Sequence, residues 1–247
     1  MSLGTLPTTR DEQWRYADPA ALETLAPADL DAWRAVTLAP GETRTKDLIL
    51  GDAHAGIHRV RLDVGAGARA EIFAVLSGQA YTRLEVEVTL HDGAHFELGG
   101  VTIGGGAATR EIVTRVNHAE PGATSNQVVR AVHWGSATGN FLGRIAVARH
   151  AQKTDAAQSF KGLLLERGAS ANAKPELEIF ADDVKCAHGA AVGQMDEAAR
   201  FYMASRGLPP EAARALLVRA FVADAFAAHG KPDALLEAAL SPLEARA

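Results

Sequence analysis

The sequence predicts a mainly β protein whose body is a stacked solenoid of short strands. Residues 57–64 and 84–90 follow the two-residue period of a strand, and Leu84, Val86, Val88 and Leu90 put an apolar side chain at every second position of the second segment. Gly-Ala pairs recur through the same part of the chain. No segment with helical periodicity separates the strands, so alternating strand–helix units are not expected.

The Gly-Ala pairs are the main indication that the strands stack. Glycine permits a sharp corner, and alanine fits where stacked backbones leave little room. The first three pairs are about 26 to 29 residues apart, which is the scale of a solenoid repeat, and the last two are about 20 apart. A β-sandwich or a cupin-like barrel is the competing all-β interpretation. The pairs are Gly67-Ala68, Gly93-Ala94, Gly122-Ala123, Gly168-Ala169 and Gly189-Ala190.

The chain divides into an N-terminal helical segment (1–40), a β body (41–193) and a C-terminal helical region (194–247). At the N-terminus, Asp18-Pro19 is typical of a helix start, and Pro27 is expected to open a second helix that contains Leu30 and Trp33.

Three helices are predicted in the C-terminal region. The first begins at Asp196 and stops at Gly207, a longer one runs from about Glu211 to Ala228, and a short one follows Pro232.

The composition is that of a globular protein with a core, since 47% of the 247 residues are hydrophobic and 22% are charged. The net charge is −5 and no basic run stands out, so nucleic-acid binding is not expected. No apolar run approaches the roughly 18 residues of a membrane helix, and Met1–Arg10 lacks the pattern of a signal peptide. The single cysteine, Cys186, excludes an internal disulfide and fits a reducing compartment, so we expect a soluble cytosolic protein.

Cys186 and His188 are the residues most suited to chemistry. In a strand they share a face, because side chains alternate with a period of two. A thiolate beside an imidazole is a ligand pair for iron, zinc or a cluster. A small buried cysteine and a structural histidine are the competing interpretation. One cysteine cannot supply the four ligands of an ordinary cluster, so any metal held here needs ligands from another chain.

The other histidines and paired acids give weaker signals. His54/His58 and His91/His95 are four residues apart, but ordinary loop histidines are favoured over zinc ligands. Glu176 and Glu178 share a face, where a solvated sheet surface is favoured over acid–base work, and Asp182-Asp183 follow them. The remaining histidines are His118, His133, His150 and His229.

Several catalytic signatures are missing from the sequence. It contains no G-x-x-x-x-G-K-[ST] loop, no G-x-S-x-G elbow and no H-E-x-x-H pair. Gly104-Gly105-Gly106 lacks the downstream spacing of a dinucleotide-binding loop and is expected to form a turn. Independent catalysis is therefore not predicted.

Three longer segments resemble the SufB/SufD family of iron–sulfur cluster assembly proteins. They are 152–158, 174–196 and 201–207, and the resemblance is strongest between about Gly143 and Phe226. Glu12-Gln13-Trp14-Arg15-Tyr16 is similar to the N-terminal signature of the SufD branch. The single cysteine also favours SufD over SufB. The chain is shorter than many SufD proteins, so a reduced N-terminal region and fewer solenoid turns are expected.

The resemblance implies a right-handed parallel β-helix with helices at both termini. It further implies a SufB-like subunit, paired as a heterodimer through the β-helix, and a SufC-like ABC-type ATPase bound through the C-terminal helices. Clusters would form at the SufB–SufD interface. His188 matches the SufD histidine implicated in assembly, and Cys186 stands at the position of the neighbouring cysteine of the motif.

These implications predict a non-catalytic scaffold subunit that binds no cofactor stably alone and shares iron or a cluster transiently with its partner. ATP-driven movement would expose the region of Cys186 and His188. Without partners, a homodimer is a possible state. A metal-dependent cupin-like enzyme using the histidines, and a purely architectural subunit with a replaceable His188, are the alternatives.

The residues predicted to dock the ATPase lie in the C-terminal region. The competing interpretation is that they pack the tail onto the β-helix. They are Arg214, Leu216, Arg219, Phe221 and Phe226.

Overall fold

The structure is a computed structural model that describes residues 6–51 and 53–245. The first five residues of Met1–Arg10, where no signal peptide is predicted, lie outside these ranges. A 3-10 helix (Glu12–Trp14), α1 (Pro19–Thr24) and α2 (Pro27–Asp31) precede the strands. After the strands come α3 (Glu197–Ser205), α4 (Pro210–Ala223), a 3-10 turn (Asp224–Phe226) and α5 (Asp233–Glu244).

Twelve parallel strands form two six-stranded sheets in the described chain. The first sheet has the order β1-β3-β5-β7-β9-β11, and the second has the order β12-β10-β8-β6-β4-β2. Each turn therefore adds one strand to each sheet, which is a parallel β-solenoid and confirms the predicted mainly β, parallel β-helix. A cupin-like barrel is excluded because its strands are antiparallel. The strands are β1 (Trp33–Leu38), β2 (Thr43–Leu50), β3 (Gly56–Val64), β4 (Arg69–Leu76), β5 (Thr82–Leu90), β6 (His95–Gly104), β7 (Thr109–His118), β8 (Thr124–His133), β9 (Thr138–Val147), β10 (Asp155–Leu164), β11 (Ser170–Ile179) and β12 (Lys185–Gln194).

Stacked glycine corners join the two sheets along one edge. Gly67, Gly93 and Gly122 have positive φ, and the Gly67 and Gly93 N–H groups donate to the carbonyls of Asp92 and Pro121 in the next turn. Lys153 takes the same position one turn later, with φ 64, and donates to the Asp183 carbonyl at 2.7 Å.

The last two Gly-Ala pairs do not continue the series of corners at Gly67, Gly93 and Gly122. Gly168-Ala169 lies between β10 and β11, at the opposite edge of the solenoid, and Gly189-Ala190 lies inside β12 and forms no corner. Residues in register on neighbouring strands of one sheet are 26 to 32 residues apart, from the pair Thr43 and Arg69 to the pair Thr138 and Ser170.

Three layers of apolar side chains hold the fold together. The lumen between the sheets contains the largest cluster, in which the rings of Phe141 and Phe160 are stacked at 6.0 Å. The N-terminal segment packs outside the first sheet through Trp14, whose ring lies 3.8 Å from the Arg83 guanidinium carbon. The C-terminal helices cover the outer face of the second sheet, where Phe226 contacts the edge of Phe73.

The predicted helix through Trp33 is wrong. α2 ends at Asp31, and Trp33 begins β1, where it stands in register with Arg59 of β3. Pairing with β3 overrides the local helical pattern, and the Arg59 guanidinium carbon lies 4.8 Å from the centre of the Trp33 ring. The domain limits stay a prediction, with β1 beginning before the proposed limit at 40.

The C-terminal helices follow the sequence signals. Asp196 caps α3 by accepting hydrogen bonds from the Ala198 and Ala199 N–H groups, and Gly207 ends the segment with φ 83. α4 stops earlier than predicted, at Ala223, since a 3-10 turn follows it.

Candidate functional site

The last turn of the solenoid presents two open strand edges. Within the described residues, β12 pairs with β10 and β11 pairs with β9, and each has no strand on its other side. An edge strand carries a row of unpaired N–H and C=O groups, which is a template for pairing with another chain. At the other end of the solenoid, β1 and β2 are the outermost strands, and each likewise has one edge unpaired among the described residues.

The four edges differ in how they are protected. β2 carries Arg44, Lys46 and Asp47, and charged side chains discourage edge pairing. β12 has only one charged residue, Lys185, at its first position, and continues as Cys-Ala-His-Gly-Ala-Ala-Val-Gly-Gln.

A proline protects the edge of β11. The Ser170 N–H donates to the Ala137 carbonyl, so the N–H groups of even-numbered residues in β11 point to β9 and those of odd-numbered residues point to the free edge. Pro175 falls on the free side, where it removes a donor. β12 is therefore the least protected edge at this end.

The same alternation places specific donors at the free edge of β12. The Lys185 N–H donates to the Thr154 carbonyl at 2.8 Å, so the N–H groups of Lys185, Ala187 and Gly189 point to β10. Those of Cys186, His188 and Ala190 point away from it. The two residues with metal-ligand chemistry thus also supply the backbone groups that a neighbouring strand would use.

Cys186 and His188 both lie on the lumen side of β12, as their alternation predicts. Cys186 is in register with the buried Ala156, and its side chain packs against the cluster that contains Ile145 and Ala181. His188 is in register with Gln158, and it is exposed because no further strand covers it. The pair lies at the mouth of the lumen.

Gln158 is a buried polar residue directly beside this mouth. It is 3% exposed, and neither its Nε2 nor its Oε1 has a hydrogen-bond partner in the structure. Gly143 leaves the space for it, since a Cβ there would lie 2.7 Å from Nε2. Gln158 is the last residue of the segment 152–158 that resembles the SufB/SufD family, but the direction of its side chain depends on a strand register that the sequence pattern alone does not give.

Burial raises the pKa of the Cys186 thiol, and the negative charge of Asp155 raises it further. The thiol is therefore protonated at neutral pH. Since the thiolate is the metal ligand, Cys186 in the isolated chain is a weak ligand.

His91 and His95 lie in earlier turns of the solenoid and have partners of their own. His91 contacts Asp63 and Glu120, at 2.8 and 3.2 Å, and His95 contacts Thr124 at 2.7 Å. The pairs four residues apart therefore do not converge on one metal. Among residues 6–51 and 53–245, no group of three or more His, Cys, Asp or Glu side chains is arranged to hold a metal ion.

The paired acids Glu176 and Glu178 lie on the outer face of β11, as the solvated-surface interpretation predicts. Glu178 pairs with Arg144, and Glu176 lies 3.2 Å from Lys174.

The residues predicted to dock the ATPase differ in how exposed they are. Leu216 is 47% exposed and Arg219 is exposed, while Arg214 is half-buried and lies 3.3 Å from Glu211. Phe221 is partly buried against the second sheet. Phe226 is 1% exposed inside the same cluster, which favours the packing interpretation for this residue over a partner contact.

Sequence reasoning missed the link between the tail and the strands. Arg130 of β8 is 3% exposed, and its Nη2 donates to Asp224 Oδ2 at 2.6 Å. Arg130 Nη1 also donates to the Ser159 carbonyl of β10 at 3.0 Å. The two partners are 94 and 29 residues away, and no local motif signals either contact.

A family model for the SufBD core domain of SUF-system FeS cluster assembly matches residues 49–221. The chain belongs to the SufB/SufD family. Its curated relatives place it on the SufD branch: it is 39% identical to the iron–sulfur cluster assembly protein SufD of Escherichia coli over 111 residues, and 32% identical to SufD of Bacillus subtilis over 132 residues. A SufBD family protein of Synechocystis is 33% identical over 161 residues.

These matches cover only part of each protein. They take in 45%, 53% and 65% of this SufD-branch chain, and 26%, 30% and 36% of the E. coli, B. subtilis and Synechocystis relatives, respectively. The chain thus matches about a quarter to a third of the length of these relatives. None of the helices in the described ranges has the length and hydropathy of a membrane-spanning segment.

Proposed function

We propose that this chain is a non-catalytic scaffold subunit of a SUF-type complex, in which the free edge of β12 pairs with a SufB-like subunit and iron–sulfur clusters form at the junction. One observation carries the proposal: Cys186 and His188 lie together on the lumen side of an unprotected edge strand. The relatives named as cluster assembly proteins support the same role.

The number of ligands explains why a partner is needed. Cys186 and His188 supply two donors, whereas an ordinary cluster takes four. A strand added along β12 would bring its own side chains beside both residues, since residues in register on paired strands lie about 5 Å apart. The iron or cluster is the cargo of this junction and is shared with the partner.

The pairing also accounts for the buried thiol. Cys186 must lose its proton to bind iron, and the raised pKa makes this unfavourable in the isolated chain. A metal ion or a cationic partner residue beside Sγ would lower the pKa and make the thiolate available. Ligation would then depend on assembly, which keeps the lone subunit from retaining iron.

The ATPase-like partner would dock on the outer surface of α3 and α4. This helix pair exposes the large apolar side chains of Phe201 (78%), Tyr202 (60%) and Leu216 (47%) to solvent. A groove between the two helices is lined by Phe201, Pro210 and Ala213. Arg219 adds a charge near the apolar contact, while Arg214 and Phe221 are half-buried at its border.

A route of contacts leads from this surface to the mouth of the lumen. α4 runs into Asp224, which binds Arg130, and Arg130 binds the Ser159 carbonyl next to Gln158. β10 then pairs with β12. Movement of the docked ATPase would shift the pairing equilibrium only if ATP favours one geometry of the complex. Alkylation of Cys186 in the complex should therefore change with nucleotide.

Co-expression with SufB-like and SufC-like partners, followed by size-exclusion chromatography and native mass determination, tests the proposal. We expect one complex that contains all three chains. The His188→Ala variant should assemble the same complex with a lower yield of cluster. An unchanged yield would remove His188 from the mechanism and leave an architectural subunit, and a lone chain that retains its own metal would overturn the scaffold assignment.

A further inference from the structure

The glycine-rich corner between β6 and β7 encloses a buried arginine, Arg110, that forms no salt bridge with another residue of the described ranges. Arg110 is 1% exposed, and its Nε and Nη1 atoms have no hydrogen-bond partner. Burial alone lowers its pKa to about 10, so the guanidinium remains charged at neutral pH.

The nearest titratable neighbour does not neutralise this charge. His133 is fully buried, its Nδ1 lies 3.1 Å from the Gly104 carbonyl, and its Nε2 lies 3.1 Å from Thr102 Oγ1. Burial and the charge of Arg110 lower the pKa of His133 to about 3, so the ring is neutral. Glu111 follows Arg110 in the chain but binds Arg83 on the outer face.

Arg110 lies at the wall of a cleft large enough for a small molecule. The cleft has a volume of about 540 Å³, within the range of ligand-binding pockets, and opens to solvent beside exposed Gln79 and Ser241. The hydroxyls of Ser77 and Ser241 and the amide of Gln79 supply neutral donors along its lining, and Trp134 supplies an aromatic wall.

The three glycines shape this wall. A Cβ on Gly104 would lie 2.5 Å from Arg110 Nη2, and a Cβ on Gly105 would overlap the Trp134 indole. Gly106 has φ 74, which favours glycine on conformational grounds. The predicted turn at 104–106 is therefore correct, and the glycines also leave room for the arginine.

We propose that this cleft binds a small molecule that carries an oxyanion group, with the planar guanidinium of Arg110 as its principal contact. A buried charge without a partner is costly, and guanidinium groups match phosphate and carboxylate geometry with paired hydrogen bonds. The last turn of α5 brings only partial negative charge to the cleft, and two of the three guanidinium nitrogens of Arg110 have no hydrogen-bond partner among the described residues. The site includes no residue of β11 or β12 and is independent of the proposed scaffold function.

Thermal unfolding in the presence of a phosphate ligand tests this site. The two ligands are inorganic phosphate and glycerol phosphate, and chloride at the same ionic strength is the reference. Ligand binding to the folded state should raise the Tm of the wild-type chain by about 3 to 6 °C at a tenfold excess over the Kd. A larger response to phosphate indicates a free inorganic anion, and a larger response to glycerol phosphate indicates the phosphate group of an organic molecule.

Two variants and one control make the test specific. Arg110→Met should abolish the response, and Gln79→Glu, which places a carboxylate at the exposed mouth, should weaken it several-fold without disturbing the core. Arg61→Met should keep it, because Arg61 lies on the outer face of β3, away from the cleft. Absence of any response in the wild-type chain, or an undiminished response in both Arg110→Met and Gln79→Glu, would overturn the proposal.

Discussion

His188 of the edge strand β12 stands in register with Gln158 of β10, whose side-chain amide is buried without a hydrogen-bond partner. An exposed potential ligand therefore lies next to a buried polar group at the mouth of the lumen. Gln158 belongs to β10, one turn from the open end of the solenoid, and burial of its unpaired amide is unfavourable there. The neighbouring positions of His188 and Gln158 therefore concern both the stability of the isolated chain and the proposed pairing of β12 with a partner.

Removing the amide of Gln158 should stabilise the isolated chain. Gln158→Met replaces two unsatisfied buried polar atoms with an apolar group of similar size, and we expect the free energy of unfolding to rise by about 1 to 2 kcal/mol. Urea denaturation at pH 7 measures it. Gln127→Met is the matched control, since it leaves the Thr114 hydroxyl without its acceptor and should not stabilise. A loss of stability in Gln158→Met would contradict this assignment.

The Arg130–Asp224 pair should be asymmetric on mutation. Asp224→Ala leaves a buried arginine without its carboxylate and should cost about 3 kcal/mol, whereas Arg130→Met leaves a half-exposed carboxylate and should cost less. Both variants should loosen the tail, so limited proteolysis between Gly207 and Lys231 should accelerate. Equal losses in the two variants would show that the buried guanidinium does not depend on Asp224.

Stability should fall on acidification below pH 6.5. Burial lowers the pKa of His118 to about 4 and that of His133 to about 3, from an ordinary 6.5, so the unfolded chain binds more protons between these values. Each imidazole then removes about 1.4 kcal/mol per pH unit as the pH falls from 6.5 towards its folded pKa. His91, whose pKa is raised by Asp63 and Glu120, acts in the opposite direction but is partly exposed and therefore weaker.

Urea denaturation at pH 7, 6 and 5 measures this dependence. His118→Gln should reduce the slope by roughly half the contribution of the two buried rings. Equal stability at pH 7 and pH 5 in the wild-type chain would show that these histidines are not held neutral.

Alkylation of Cys186 should be slow in the isolated chain. Burial and Asp155 raise the pKa of the thiol, so the thiolate fraction at neutral pH is smaller than in an unstructured peptide. Iodoacetamide labelling followed by mass spectrometry gives the rate, with the urea-unfolded chain as the reference. Asp155→Asn should increase the rate modestly by removing the nearby negative charge. Faster labelling of the folded than of the unfolded chain would contradict the raised pKa.

Local patterns predicted those parts of the fold that depend on neighbouring residues. The alternation in 84–90, the corners at Gly67, Gly93 and Gly122, and the cap at Asp196 all follow from the chemistry of a few adjacent positions. The same logic failed at Trp33, where pairing with β3 determines the conformation. It failed at Gly189 because a glycine in an edge strand looks like a glycine in a corner.

The candidate site was predicted only in part for a related reason. The shared face of Cys186 and His188 follows from strand periodicity, but its position at the lumen mouth depends on the register of β10 and β12. Arg110, Gln158 and Arg130 acquire their roles from neighbours in other turns or in the tail. Repeat lengths that vary between 26 and 32 residues hide these contacts from a search for a fixed period.

The most direct test of the account is to block the free edge of β12 in the co-expressed complex. Ala190→Pro removes an N–H that points away from β10, so the isolated chain should fold, whereas Ala187→Pro removes one that points to β10 and should destabilise it. With the SufB-like and SufC-like partners, we expect Ala190→Pro to lose the SufB-like chain in native mass determination. If the Ala190→Pro variant formed a complex with the same subunits and the same cluster content as the wild-type chain, pairing through β12 would be contradicted.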